Sequence, residues 1–248
     1  MFEWYKKESP LKALAGLGGG VGRGSRGGIS TNDSDPFEDG SCMYTYQFNG
    51  AATKLGGGTA LNGSTGEIKS SAAKFGSGGF NGTGASQLNS NDNLLKPTGD
   101  FSINFWYRSS TTGQDNKRIV CVKGSQVNMG WNNWNNRFGF YTGTGGDPTT
   151  VYRRREIPDA TANDGNWHQI TGTVTTGNTF KFYFDGVEWT QTSVNNQDSR
   201  SFNASSRLAI TTYDGSSSYN SVCNIDQIRV FNRVLTAAEV AQLNTETD

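Results

Sequence analysis

The sequence predicts an all-β fold: a two-sheet antiparallel β-sandwich with one short C-terminal helix and an extended glycine-rich N-terminal arm. Two observations predict this class. The 248 residues include 33 glycines and 12% aromatic residues, a composition typical of short strands joined by tight turns, because glycine adopts positive φ without strain. Short runs with alternating apolar residues also recur from residue 35 onward at the spacing of a sandwich. No internal repeat period is present, which disfavours solenoids and propellers.

The candidate strands are short and mostly carry one apolar face. They cover residues 43–48, 72–75, 85–88, 101–108, 119–123, 138–141, 168–174, 180–185, 187–190, 207–211 and 223–231. In residues 180–185 the three phenylalanines alternate with Lys181, Tyr183 and Asp185, which predicts a strand with one buried face. Asp185-Gly186 then predicts a type I′ hairpin turn.

One helix is predicted near the C-terminus. Thr236 and Glu239 have the spacing of a capping box, in which the first residue caps the helix and the second reaches back to it. Leu235 and Val240 occupy the positions of a hydrophobic staple on either side of that cap. The sandwich is therefore expected to close with a short helix.

The charge of the chain is balanced overall but uneven along its length. The formal net charge is zero, so the sequence lacks the cationic field typical of proteins that bind nucleic acid. Residues 1–30 nevertheless carry five basic and two acidic residues. No apolar stretch is long enough for a membrane span, and glycines dilute the apolar run of residues 11–21, which disfavours a secretion signal.

Residues 1–34 are predicted to form a basic arm, separate from the sandwich of residues 35–248. Glycine at the density of residues 16–28 cannot hold a fold alone. The arm is either a disordered leader or an anchor that orders against a partner. The anchor residues would be the terminal aromatic and basic side chains Phe2, Trp4, Tyr5, Lys6 and Lys7.

The three cysteines, Cys42, Cys121 and Cys223, are too few to staple a secreted scaffold and lack zinc-ligand spacing. They are interpreted as small buried apolar residues. Cys42 and Cys223 fall in the first and last predicted strands of the sandwich, which leaves a disulfide between them open.

Three segments in this order resemble the laminin-G-like, concanavalin-A-like jelly-roll superfamily, of the kind found in bacteriophage structural proteins. They are the FSINFWYR strand at residues 101–108, the NDGNWHQI segment at 163–170 with the hairpin at 180–186, and the NIDQIRVFNRVLT segment at 224–236. The resemblance implies two antiparallel sheets with adjacent first and last strands. It also implies core positions for Trp106 and Trp167, and structural hydrogen bonds for His168 and Asp226.

The candidate carbohydrate-binding residues are Trp131, Trp134, Arg153 and Arg155. Both tryptophans stand among asparagines, as in a turn or strand edge, and flat rings beside amides suit sugar recognition. The two arginines alternate onto one face and could hold an acidic sugar. Packing beneath a loop or in a subunit contact, and a solvated edge strand, remain the alternatives for these residues.

No enzyme is predicted. Glycoside hydrolysis needs two carboxyl groups on either side of the bond, whereas Glu67, Glu156 and Glu188 are isolated. His168 is the only histidine and has no recognisable nucleophile beside it.

No cofactor is required, although relatives of this kind often bind calcium through rim loops. The loop candidates are residues 91–93, Asp147 and Asp214, and no dense acidic loop is present.

The leading functional prediction is a non-enzymatic structural protein of a bacteriophage virion. It would present the jelly roll on the particle surface as a head decoration, fibre or tail component. The arm would contact other virion proteins, host-surface glycan would be a further partner, and we expect a homo-oligomer. Residues 6–20 and 35–42 resemble segments of such proteins. The alternative is a carbohydrate-binding adhesin of a bacterial or phage surface, and a glycoside hydrolase is less favoured.

Overall fold

The computed structural model describes residues 35–49, 54–55, 61–90, 100–114, 117–123, 129–134, 137–143, 152–175, 179–190, 192–194, 207–212 and 217–247. In these residues the chain forms two antiparallel sheets that pack as a sandwich, as predicted. The five predicted anchor residues and the rest of the arm lie outside them. Residues 1–34 as an anchor therefore stay a prediction.

Seventeen strands lie in the described part of the chain. They are β1 Cys42–Tyr46, β2 Lys54–Leu55, β3 Asn62–Gly63, β4 Ile68–Lys69, β5 Gly79–Thr83, β6 Leu88–Asn89, β7 Phe101–Arg108, β8 Lys117–Lys123, β9 Met129–Trp134, β10 Arg137–Gly143, β11 Tyr152–Pro158, β12 Trp167–Val174, β13 Phe180–Phe184, β14 Val187–Glu188, β15 Thr192–Val194, β16 Arg207–Ile210 and β17 Val222–Phe231. Two helices, α1 Asp159–Ala162 and α2 Ala237–Leu243, complete these elements.

The nine-stranded sheet has the order β14-β13-β12-β7-β17-β1-β2, and β5 pairs with the first half of β17 and carries β4. The eight-stranded sheet has the order β15-β11-β10-β9-β8-β16-β6-β3. β1 pairs with β17, so the first and last strands are adjacent, as the resemblance implies. Both sheets are built from antiparallel neighbours, as expected for a chain that returns through short turns.

The core between the sheets is aromatic. In β7, Phe101, Ile103, Phe105 and Tyr107 alternate inward, and all four are buried. Rings from the two sheets meet across the gap: Tyr107 lies 5.0 Å from Phe138 between ring centroids. Alternation in the sequence thus decides which face of each central strand is inside.

The outer face of the nine-stranded sheet is partly covered by the C-terminal segment. The predicted capping box forms at α2, where Thr236 accepts from the Glu239 N–H and Glu239 accepts from the Thr236 N–H. Tyr183 is buried in a second apolar cluster, together with Phe231, Leu235, Val240 and Leu243. The prediction that β13 buries only one face was therefore wrong, because α2 covers its other side. The Asp185-Gly186 turn has positive φ at both residues, as a type I′ turn requires.

Residues 72–75 do not form the predicted strand. A 3-10 turn at Ser70–Ala72 includes the first of them, and the backbone N–H groups of Lys74 and Phe75 donate to the Asp226 carboxylate at 2.9 and 3.1 Å. A side chain distant in sequence therefore takes the place of a neighbouring strand. The strands β5, β9 and β11 were not predicted, because their glycines, amides and arginines hide the apolar alternation.

The three cysteines are free thiols. Cys42 on β1 lies opposite Phe231 on β17, and Cys223 is eight residues before Phe231 on the same strand. At about 3.3 Å per residue, eight residues of strand separate the two backbone positions by roughly 26 Å, which is too far for a disulfide. Burial raises the pKa of Cys223 to about 12, so this thiol is protonated and unreactive.

A buried ion pair fixes the end of the chain to the sheet. Arg229 Nη1 lies 2.6 Å from Glu246 Oε1, and both side chains are fully buried. Trp106 Nε1 donates to Glu246 Oε2 at 3.1 Å, and Arg229 Nη2 donates to Gln227 Oε1 at 3.3 Å. Burial raises the pKa of Glu246, and the Arg229 cation opposes that rise. The pair joins the segment after α2 to the middle of the nine-stranded sheet.

Glu246→Gln is expected to lower the free energy of unfolding by about 3–5 kcal/mol, because it leaves the Arg229 charge buried without a counter-charge. Urea denaturation at pH 7 measures the change. Glu188→Gln is the matched control, since the Lys181–Glu188 pair has side chains that are 44% and 33% exposed. Its cost is expected to stay below about 1 kcal/mol. Equal losses in the two variants would contradict this interpretation.

Candidate functional site

The predicted carbohydrate-binding residues lie in strands of the eight-stranded sheet, not in loops. Trp131 and Trp134 belong to β9, which pairs with β8 on one side and β10 on the other. Arg153 and Arg155 belong to β11, between β10 and β15. The edge-strand interpretation is therefore wrong for β11 at these positions. The four side chains lie outside the described atoms, so their sugar-binding role stays a prediction.

The strand register places two of these positions on either side of one buried residue. Trp131 and Arg155 occupy the positions opposite Phe140, one on each side of β10. Trp134 is opposite Arg137 instead. Positions 131 and 134 are an odd number of residues apart, and successive positions of a strand alternate between the two faces of a sheet. A single flat platform therefore cannot include both positions, and each has to be tested by itself.

His168 is clamped between two carboxylates at the end of the nine-stranded sheet. Its Nδ1 lies 2.8 Å from Asp185 Oδ2, and its Nε2 lies 2.9 Å from Asp164 Oδ1. The ring stacks on Phe184, with 4.5 Å between centroids. Asp185 also accepts from the Gln169 N–H at 2.9 Å, which orients the carboxylate.

The contacts of His168 disfavour a role as a general base. Burial alone would lower the pKa of His168, but its hydrogen bonds to the Asp185 and Asp164 carboxylates outweigh burial and raise that pKa. The backbone and side-chain N–H groups of Asn166 are the main cause that lowers the pKa of Asp164 to about 2. Both ring nitrogens of His168 are already hydrogen-bonded to carboxylates, so neither is directed at a bound substrate. The predicted structural role of His168 agrees with these contacts.

Asp226 is a structural hydrogen-bond acceptor, as the resemblance implies. Besides the N–H groups of Lys74 and Phe75, it accepts from the N–H of Gln227 at 2.8 Å. Gln227 has a φ of 51° and lies in a β-bulge that aims the carboxylate across the sheet. Burial raises the pKa of Asp226 to about 7, against the effect of the three N–H donors.

A buried hydrogen-bond network joins the side chains of Tyr107, Asn163 and Asp159. The Tyr107 hydroxyl donates to Asn163 Oδ1, the Asn163 amide donates to Asp159, and Gly113 N–H donates to the same carboxylate at 2.8 Å. Burial raises the pKa of Tyr107 well above its usual value, so the phenol keeps its proton. This chain connects the 109–114 loop to α1 and serves the fold.

Within the described ranges, no group of three or more His, Cys, Asp or Glu side chains could hold a metal ion. The calcium candidates at residues 91–93, Asp147 and Asp214 lie outside those ranges. None of the described helices is long and apolar enough to cross a membrane.

Comparison with known families identifies the fold. The model of the concanavalin A-like lectin/glucanases superfamily, in its laminin G form, matches residues 80–241, more than half of the chain. The chain belongs to this superfamily. A search of curated proteins gave no match.

Solved structures share this superfamily fold at low sequence identity. Domain 4 of AbnA, an extracellular arabinanase from Geobacillus stearothermophilus solved with arabinotriose, has 16% identity and a TM-score of 0.61, with 83% of this chain and 98% of that domain covered. The receptor-binding domain of botulinum neurotoxin C/D mosaic serotype has 15% identity and a TM-score of 0.59, with 82% of this chain and 51% of that domain covered. The binding domain of Paraclostridial Mosquitocidal Protein 1 has 16% identity and a TM-score of 0.55, covering 82% of this chain and 52% of that domain. These likenesses show the fold alone, and none of the three is a virion protein.

Trp167 differs from the core position that the resemblance implied. Trp106 is buried, with 5% of its surface exposed, but Trp167 is only partly buried. Trp167 lies opposite Arg108, whose guanidinium carbon stands 4.8 Å from its ring centroid. Both residues are on the outer face of the nine-stranded sheet. The alternation of β12 predicts this outer position. Ile170 and Val174 are on the inner face, and Trp167 is an odd number of residues from both, so it is on the outer face.

The His168 clamp is expected to make stability depend on pH. The folded protein holds the His168 proton more tightly than the unfolded chain. This contribution is therefore complete below pH about 6.5 and is lost as the pH rises through the raised pKa of the folded state. His168→Gln is expected to cost about 1–2 kcal/mol at pH 5.5 and less at pH 8.5. Urea denaturation of both proteins at the two pH values measures this, and a pH-independent difference would contradict it.

Proposed function

We propose that this protein is a non-enzymatic glycan-binding module that attaches its bearer to a carbohydrate surface. Membership in a superfamily of lectins and glucanases supports a carbohydrate ligand. Domain 4 of the arabinanase, which this chain resembles over nearly all of that domain, was solved with arabinotriose. The botulinum relative is a receptor-binding domain, which supports an attachment role. Fold alone does not decide function, so the site chemistry has to carry the proposal.

The non-enzymatic part of the proposal depends on the hydrogen bonds and ion pairs that the buried carboxylates already make. Asp159, Asp226 and Glu246 are the buried acids in the described residues, and each is already bonded to backbone N–H groups, an amide or a buried cation. Hydrolysis of a glycosidic bond needs one acid that can donate its proton and a second that can attack or activate water. Acids committed to the fold serve neither purpose, which favours binding without cleavage.

The eight-stranded sheet supplies the predicted contact residues. Trp134 pairs with Arg137, and this position is on the outer face of the sheet, because the next residue, Phe138, is in the core. Trp131 and Arg155 both pair with Phe140, so their positions share the face of that buried residue. An aromatic ring stacks on the apolar face of a sugar, while a guanidinium donates to hydroxyl or carboxylate oxygens. These are the polar and apolar groups that a sugar site requires.

The proposal predicts binding on a glycan array that spans neutral and acidic oligosaccharides. Trp131→Ala and Trp134→Ala are made separately, because the two positions belong to opposite faces of β9. The variant on the binding face is expected to lose about tenfold or more in affinity by calorimetry, and Val187→Ala is the surface control. Silence of the wild-type protein across the array would refute the proposal. Release of shorter products, followed by mass spectrometry, would refute its non-enzymatic part.

A virion role is the second candidate, and the basic, glycine-rich composition of residues 1–34 favours it. If the chain is a virion component, deletion of these residues is expected to abolish its incorporation into particles while the sandwich stays folded. Sedimentation of particles with immunodetection measures incorporation, and circular dichroism controls for folding. Normal incorporation of the truncated protein would argue against the anchor.

A further inference from the structure

A row of polar side chains crosses the outer face of the nine-stranded sheet. We call it the outer polar row and define it by Trp167 on β12, Arg108 on β7, Asn224 on β17, Asn81 on β5 and Glu67 at the turn before β4. The first four lie at directly opposite register positions on adjacent strands. Neighbouring strands are about 4.8 Å apart, so the five members extend over roughly 19 Å.

Hydrogen bonds connect four members of the outer polar row, each to its neighbour in the row. Arg108 donates to Asn224 Oδ1 from Nε at 3.2 Å and from Nη2 at 3.0 Å. Asn224 donates to Asn81 Oδ1 at 3.1 Å, and Asn81 donates to Glu67 Oε2 at 3.1 Å. Every amide is therefore held in one orientation before any ligand arrives.

The aromatic end of the row is fixed in the same way. The Arg108 guanidinium lies over the Trp167 ring at 4.8 Å and also donates to the Ser71 carbonyl at 2.9 Å. Stacking on an arginine and bonding of that arginine to the backbone hold the ring edge in place. The indole is only partly buried, so it presents apolar surface beside the amides.

The outer polar row lies next to the part of the sheet that residues 74 and 75 cover. Trp106 and Asp226, two positions further along β7 and β17, are buried beneath residues 74 and 75. The five members of the row are instead all of intermediate exposure. The covering segment thus forms a wall along one side of an open strip.

The chemistry of the strip fits sugar hydroxyls. An asparagine amide has two N–H donors, and in the described contacts Asn81 and Asn224 each use one of them within the row. Hydroxyl groups both donate and accept, so they can bond to leftover amide N–H groups and to carboxylate oxygen. Lys69 lies 3.1 Å from Glu67 and balances its charge, so Arg108 is the one unbalanced charge of the row. Its Nε and Nη2 groups already donate to the Asn224 and Ser71 oxygens, which favours a neutral ligand over an acidic one.

We propose that the outer polar row is a second glycan-binding surface that takes a neutral oligosaccharide of several sugar units lying across the strands. The inference rests on the proposed function, since it names a ligand class and a surface for it. It is independent of the β9 and β11 positions, because those belong to the other sheet.

Calorimetry with arabinotriose, cellotetraose and maltotetraose, together with a neutral-glycan array, tests the proposal on the full chain. Asn224→Ala interrupts the row at its centre and Trp167→Ala removes its apolar end, so each is expected to weaken binding about tenfold. Asn232→Ala is the matched control, because this exposed asparagine follows β17 at its opposite end. It is expected to leave affinity unchanged.

A second measurement separates lost binding from lost folding. In a 15N NMR titration of the wild-type protein, the side-chain amide signals of Asn81 and Asn224 and the indole signal of Trp167 are expected to shift with added oligosaccharide. Binding that moves none of these signals and survives both row variants would overturn the row while leaving the proposed function intact. Binding of acidic glycans alone would also overturn it, and the absence of all glycan binding would overturn both proposals.

Discussion

The pairing of strand β17 is the constraint on which the rest of the molecule depends, because other strands pair with it along both of its edges. β7 pairs along one edge, while β5 and β1 share the other, one at each end. The bulge at Gln227 bends β17 between the part that pairs with β5 and the part that pairs with β1. The same bulge aims Asp226 at the backbone of residues 74 and 75 and places Arg229 opposite Glu246. One local irregularity therefore positions two distant segments.

That arrangement decides which part of the sheet remains open. Residue 74 covers Trp106 and Asp226, and Glu246, in the segment after α2, covers Arg229. Their coverage ends at the level of Arg108, where the polar side chains bond to one another across the strands. Under the cover, the Asp226 and Glu246 carboxylates are bonded by the fold, whereas Asn81 and Asn224 beyond it each use one amide N–H in the described contacts. Structural and binding chemistry thus share one sheet face and are separated by about two residues of strand.

The sequence predicted the elements whose signal is local. Alternation located β7 with its exact limits, the capping box located α2, and Asp185-Gly186 located a hairpin turn. It did not predict β9 and β11, where backbone pairing rather than apolar alternation makes the strand. Nor could it predict the pairing of Arg229 with Glu246 or the outer polar row, because their members are brought together only by strand order. The position of Trp167 was predictable from alternation but was hidden by the motif around it.

A weak, polar ligand such as an oligosaccharide binds well only when the protein loses little conformational freedom in binding it. The outer polar row meets this condition, since each of its amides is already oriented by a neighbour and its tryptophan is held by Arg108. A row of unconnected side chains would have to be ordered by the ligand itself. The hydrogen bonds that make the row look like a purely structural network are therefore also what would make it an efficient binding surface. The deciding difference is exposure, because the buried networks around Asp226 and Tyr107 are equally well ordered but have no face open to a ligand.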